Sequence, residues 1–378
     1  MFGYKKSALT LLLLATLLLV HAAHAVTVFS EGMLTPETIS SAPAGFGAFA
    51  GDYFVPDFAR GSPDTTLRNI WRVPQTGGAP ALFANNPSSV MRGGIFLPDG
   101  WGANSGKFAT MGADPSTQLG FPGGGRIDVF QADGVRNLFL SIPAGPSEKT
   151  VLNTPRIVPS GFGTFEGQLA VGDQTNNRVL AVAPDATFTT LVADLPFSPA
   201  GLAFAPSTFG AVGGRLLVSD VFSGQISAAG DDGSISTFAT VPLLAQQTGL
   251  RQLEFTPADF LIDLGIPGEL LLVSVSGSQF GGGVLGDVLA LDSDGDIVAS
   301  LRVRDVLGKF DPRGMHFRSD NSLLISDAAD PIILATAADF RPGRFANEVP
   351  EPATLMLLAL GFVLMLRTVT AREELRYE

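Results

Sequence analysis

The chain has 378 residues, of which 46% are hydrophobic and only 16% charged, with a net charge of −12, three histidines and no cysteine. The missing thiols exclude disulfides, thiolate zinc centres and a cysteine nucleophile. The acid excess argues against nucleic acid and anionic lipid as partners, and the 44 Gly and 26 Pro suit a fold with many tight turns.

Residues 1–25 have the anatomy of a secretory signal peptide: Lys5 and Lys6, an apolar run at 8–20, and the A-x-A cleavage site Ala23-His24-Ala25. Cleavage there makes Val26 the first mature residue, leaves His316 as the only histidine, and makes the remaining chain more acidic than the precursor.

Beyond this point one short pattern recurs. GRLLVSD from Gly214, GQLAVGD from Gly167 and NSLLISD from Asn321 are clear copies. GELLLVS from Gly268 lacks the acid, and GDYFVPD from Gly51 and GKFATMG from Gly106 are weaker. Each is an apolar run entered from a Gly or Asn turn, as expected of a buried strand. The starts are spaced by 55, 61, 47, 54 and 53 residues. Repeats of about 40–50 residues, each holding several strands, indicate a β-propeller.

In chain order, the first unit is expected to hold strands at 53–55, 69–73 and 81–83. The second holds 91–97, 107–111, 126–130 and 135–141, and the third 155–159, 168–172, 178–182 and 187–193. The fourth holds 199–204, 215–219, 225–229 and 234–239, and the fifth 250–255, 269–275, 287–291 and 297–302. Asp133-Gly134, Asp232-Gly233 and Asp294-Gly295 are expected as hairpin turns with positive φ at both central residues. The sixth unit offers only 314–317, 323–326 and 332–335. Its fourth strand is expected from 26–29 at the mature N-terminus, which would close the ring and remove two sheet edges. The expected fold class is all-β: a six-bladed propeller of four-stranded antiparallel blades at 26–345, with an N-terminal signal helix and a C-terminal transmembrane helix.

Val171 to Val179 (VGDQTNNRV) resembles an NHL repeat, and VSDVFSGQI at 218–226 is a looser version. The resemblance implies a six-bladed propeller, a form shared with gluconolactonase-like lactonases. It speaks for fold and not for activity.

A linker at 346–352 carries Val349-Pro350-Glu351-Pro352, and a helix at 353–369 contains an apolar run at 353–366 followed by Arg367. That run is shorter than the roughly 17–25 residues of a typical span. Together with its position at the chain's end, the segment resembles the PEP-CTERM sorting signal of Gram-negative bacteria. The resemblance implies an inner-membrane stage before processing by an exosortase, in bacteria that commonly make exopolysaccharide. The tail at 370–378 is longer than usual for such signals and holds Glu373, Glu374 and Glu378.

Candidate chemistry is sparse. Asp57, Asp173, Asp220 and Asp327 end the second strand of their units. A ring of them would offer hard oxygen ligands to Ca²⁺, while the same position suits an aspartate that accepts N–H bonds in its own turn. His316 and Glu254 stand on strands expected to line the channel, Glu254 either facing it or paired with Arg251. Asp292 to Asp296 lacks the Gly and Glu of a calcium loop and is expected as a hairpin turn. Gluconolactonase-type enzymes hold a divalent cation with Glu, Asn and Asp side chains. Glu31, Glu166, Asn176 and Asn321 are of the right types, but no spacing aligns them, and none is carried over. The expected function is an exported, cell-surface or matrix-associated non-enzymatic binding or structural protein. Its expected partners are exosortase and exopolysaccharide or surface proteins, with no cofactor besides a candidate Ca²⁺. The alternative is a metal-dependent, lactonase-like hydrolase at the channel mouth.

Overall fold

Each of the six apolar runs forms the second strand of an antiparallel sheet, and six such sheets make six blades. The computed structural model describes residues 26–343, apart from 59–67, 116–122, 144–148, 245–246, 278–285, 302–309 and 329–330. Ala23 and Ala25 of the expected signal peptide lie outside the described residues, as do Pro350, Glu351, Pro352, Arg367 and the expected terminal helix. Among the described residues no helix is long and apolar enough to cross a membrane.

Blade 1 runs Ser40–Ser41, Tyr53–Pro56, Asn69–Val73 and Ala81–Asn85 from inside outward. Blade 2 is Val90–Phe96, Phe108–Ala113, Gly125–Phe130 and Arg136–Ile142, and blade 3 is Leu152–Ile157, Leu169–Asp173, Arg178–Val182 and Phe188–Val192. Blade 4 is Pro199–Phe204, Leu216–Asp220, Gln225–Ala229 and Ile235–Thr240. Blade 5 is Gly249–Phe255, Leu271–Ser276, Asp287–Leu291 and Ile297–Leu301. Blade 6 takes Pro312–Phe317, Leu323–Asp327 and Ile332–Ala335 from the C-terminal side and Thr27–Ser30 from the N-terminal side. Thr27 faces Leu334 and Val28 faces Ile333, so the expected closure forms.

The second strands read as apolar runs up to a polar end because they are buried on both faces: LLVSD of blade 4 and LLISD of blade 6 are buried throughout. The apolar side chains gather into six clusters, each between two neighbouring blades. Leu324 and Ile332 of blade 6, for example, pack on Tyr53 and Val55 of blade 1. Each fully buried side chain of this size contributes about 1.5–3 kcal/mol. The ring is therefore held by blade-to-blade packing all the way round.

Three expectations are corrected. Blade 1 has an inner strand, missed because only the polar Ser40 and Ser41 pair there. Blade 5 gains a fifth strand, Phe340–Pro342, against Ile297–Leu301, anchored by the buried Phe340. Its lead-in turn is capped by Thr336 and Asp339, with Thr336 N–H donating to Asp339 at 2.7 Å. At the Asp-Gly turns only Gly134, Gly233 and Gly295 have positive φ. Asp133 and Asp232 instead accept the N–H two residues on, at 2.9 Å each, which selects a type I turn followed by a left-handed glycine.

The inner strands share a feature that places the site. In blades 2 to 6 the pairing to the second strand slips near its start, leaving Arg92, Thr154, Ala200, Gly201, Arg251, Gln252, Arg313 and Gly314 outside the ladder. A bulge of this kind re-aims side chains. The serine of the second strand supports it. Ser219, Ser274 and Ser326 accept the N–H of Gly201, Gln252 and Gly314 at 2.8, 2.8 and 2.7 Å. Ser219 then donates to Arg251 O at 2.9 Å, and Ser326 donates to Glu37 O, tying each blade to the next. Asn153 Nδ2 does the same to Pro199 O, and Gln252 bonds Met315 through both ends of its amide.

Candidate functional site

Counting from the residue opposite the repeat's aspartate position (Asp57, Gly112, Asp173, Asp220, Val275 and Asp327), the next position on the inner strands holds Glu37, Arg92, Asn153, Ala200, Arg251 and Arg313, one from each blade. All six line a single cavity of about 30 Å³. Thr154, beside it, has φ of 23°, a conformation that costs a β-branched residue on the order of 1–3 kcal/mol.

The charges on this ring are unevenly paired. Arg313 Nη2 bonds Asp311 at 2.7 Å, and Arg92 lies over the Phe58 ring at 4.4 Å from its centroid. Arg251 Nε is buried without an acceptor, as is Arg313 Nε. Burial, reinforced by the neighbouring Arg313 charge, pushes the Arg251 guanidinium down to about 9. Burial pushes the Glu37 carboxyl up, against the pull of Arg313, Arg92 and Arg251. Asn153 Oδ1 is buried with no donor.

Three positions further along, a second ring holds Ser40, Ile95, Arg156, Ala203, Glu254 and His316. Arg156 of blade 3 reaches across blade 4 to blade 5, donating to Leu253 O and to Glu254 Oε2 at 2.7 Å each. Glu254 is thus paired with Arg156 and not with Arg251, because the bulge directs Arg251 into the first ring. Burial raises the Glu254 carboxyl and Arg156 opposes the rise. His316 packs edge-on against Tyr53 with ring centroids 5.8 Å apart. Burial, and then the Arg156 charge, lower its imidazole to about 4.

The four aspartates lie one strand further out and are engaged locally. Asp57 accepts the N–H groups of Leu34 and Thr35 at 2.8 and 2.9 Å and the Trp71 indole N–H at 3.1 Å. Asp173 accepts from Asn176 and from Arg178 Nε, at 2.8 Å each for the shorter contacts, and Asp220 accepts Phe222 N–H at 3.1 Å. Asp327 accepts Asp311 N–H at 2.9 Å. Asp292 accepts the N–H groups of Asp294 and Asp296 at 3.0 Å, holding a hairpin turn. Among the described residues no three His, Cys, Asp or Glu side chains are grouped so as to hold a metal ion. The axial ring sets three guanidiniums against one carboxylate, Glu37, and one unpartnered amide oxygen, Asn153 Oδ1, so a divalent cation there meets fewer oxygen ligands than it takes and three like charges.

Reading the sequence by its apolar strand ends missed the first ring altogether. Aligning the inner strands on the aspartate position of the second strands would have put Glu37, Arg92, Arg251 and Arg313 in one column.

Similarity to known proteins is of two kinds. The PEP-CTERM protein-sorting motif matches residues 348–369. No curated protein matches by sequence. Among solved structures, a gluconolactonase from Xanthomonas campestris superposes with a TM-score of 0.55 at 15% identity, covering 82% of this chain and 89% of its own. A calcium-binding regucalcin from Agrobacterium tumefaciens gives a TM-score of 0.53 at 17% identity, covering 85% and 98%. A further structure assigned as a gluconolactonase gives 0.55 at 17%, covering 85% and 95%. Identities this low show the fold alone. The chain is a six-bladed β-propeller resembling the gluconolactonase fold, and it ends in a PEP-CTERM protein-sorting motif.

Proposed function

We propose that the protein is exported, processed by exosortase at the motif around Pro350-Glu351-Pro352, and displayed at the cell surface or in the extracellular matrix as a non-enzymatic binding protein. Its ligand enters the axial pocket. One observation carries this reading: the axial ring sets three guanidiniums beside a single carboxyl, Glu37, and the two acid–base candidates of the second ring are engaged or shifted. Glu254 is held by Arg156 at 2.7 Å, and the imidazole of His316 is lowered to about 4, well below the range that suits a base at neutral pH. The ring above them carries Arg92, Arg251 and Arg313. Guanidiniums recognise anions and do not exchange protons in ordinary conditions.

The alternative, a metal-dependent lactonase-like hydrolase, draws support from the fold shared with the gluconolactonase and the calcium-binding regucalcin. It requires a cation where this chain places arginine. Calcium at the four aspartates requires each carboxylate to give up hydrogen bonds it accepts.

The test is a pair of assays on the full chain expressed in a host with exosortase. The wild type is expected as a shortened form at the cell surface, without hydrolysis of sugar lactones with or without added calcium. Replacing Pro350, Glu351 and Pro352 by alanine is expected to leave the chain full-length and membrane-bound. Normal delivery of that variant contradicts the sorting reading, and calcium-dependent lactone hydrolysis contradicts the non-enzymatic one.

A further inference from the structure

We propose that the axial pocket is an anion site, built for a small oxyanion that also carries a hydroxyl group, of which hydrogen phosphate is the simplest. The proposal rests on the binding reading above and names the ligand class for that same pocket.

Three of the residues that line the pocket carry a buried polar atom with no partner. Arg251 Nε and Arg313 Nε are buried donors without acceptors, and Asn153 Oδ1 is a buried acceptor without a donor. The orientation of that amide is set, because Asn153 Nδ2 donates to Pro199 O at 3.0 Å. Buried polar atoms are almost always satisfied in native proteins, and an orphan set at one cavity asks for an absent partner. A hydrogen phosphate ion supplies acceptor oxygens for the guanidiniums and an O–H for Asn153. A bare cation supplies neither and meets like charge.

Electrostatics agrees with the geometry. Three of six blades place arginine in the same column of a chain whose net charge is −12. Arg313 is partly neutralised by Asp311, whereas burial and Arg313 together disfavour the charged form of Arg251. An anion between them removes that penalty, and guanidiniums bind oxyanions through paired N–H bonds. At Glu37 burial raises the carboxyl, against the pull of Arg313, Arg92 and Arg251.

Size narrows the class. The cavity is small, about 30 Å³, which favours a compact ion over a sugar ring. A polymer could present only a pendant or terminal phosphate here, whereas free phosphate needs no such presentation.

The experiment measures thermal unfolding of the full chain in mild detergent by calorimetry, titrating sodium phosphate, sodium acetate or calcium chloride at constant ionic strength. Phosphate is expected to raise Tm saturably, as ligand binding to the folded state requires. Acetate, lacking the O–H, is expected to need at least about tenfold higher concentration, the order expected for one lost bond to a buried group. Arg251→Met is expected to abolish the phosphate response while leaving the ligand-free Tm unchanged or higher, since it removes a buried unpaired charge. A purely structural Arg251 would instead lower that Tm. Should R251M fail to fold, R251K keeps the charge, loses the fork, and is expected to weaken phosphate at least about tenfold. A phosphomonoester-bearing oligosaccharide that outcompetes free phosphate identifies a polymer as the source, and one that does not identifies the free ion. The proposal is overturned if phosphate leaves Tm unchanged, if R251M responds like wild type, or if calcium alone raises Tm. Failure here with normal surface delivery sinks the anion site alone, whereas failed delivery sinks the underlying reading.

Discussion

Two guanidiniums on inner strands meet opposite fates. Arg156 finds Leu253 O and Glu254 at 2.7 Å, while Arg251 Nε has no acceptor. The neutral imidazole of His316 is the third ionisable group whose state the channel decides. Its folded pKa of about 4 lies below the usual 6.5, so the unfolded chain binds the extra proton between these values. Stability therefore falls as pH drops from about 6.5 to about 4, by up to about 3 kcal/mol for this group alone. Glu37 and Glu254 are raised and act with the opposite sign, losing stability as pH rises through their folded values. His316→Gln is expected to flatten the wild-type slope between pH 4 and 6.5 in urea titrations, and an unchanged slope would show that the imidazole is not held neutral. Glu254 and His316 were legible as channel residues because they sit in the apolar strand ends. Arg92, Arg251 and Arg313 were not. Simple alternation puts positions three apart on opposite faces of a strand, and only the bulge turns both toward the axis.

That bulge is the element on which the site depends. Ser219 accepts Gly201 N–H and donates to Arg251 O, so Ser219→Ala leaves two buried groups unsatisfied. A loss of about 1–3 kcal/mol is expected by denaturant titration, and a neutral result would mean the bulge does not need the serine. Gly201 is where blade 4 comes closest to blade 5, since a Cβ there would stand 2.1 Å from Arg251 O. Gly201→Ala is expected to destabilise by more than about 1 kcal/mol and to weaken anion binding by shifting Arg251. A stable variant with full binding would contradict the tight contact. At this scale the sequence was informative where burial was two-sided. The second strands, mostly apolar runs, announced themselves. Ser40–Ser41 and Phe340–Pro342 did not, because two or three residues carry no period and pair only through tertiary context.

Around the whole molecule, six apolar clusters and one borrowed strand close the ring. Removing residues 26–30 exposes the edge of Ile332–Ala335 and takes Val26 and Phe29, both buried, out of the core. That truncation is expected to broaden the unfolding transition and promote association, and an unchanged sharp transition would show that closure does not need the strand. The closed ring also explains how an acidic protein can concentrate positive charge: six inner strands converge on the axis, so one column of the repeat becomes one wall of the pocket. Whether that wall holds an anion is the central claim, and anomalous diffraction tests it most directly. Crystals soaked in hydrogen arsenate are expected to show an arsenic peak among Arg92, Arg251 and Arg313. No peak there, with a lanthanide soaked in calcium's place appearing on the axis instead, would contradict the account.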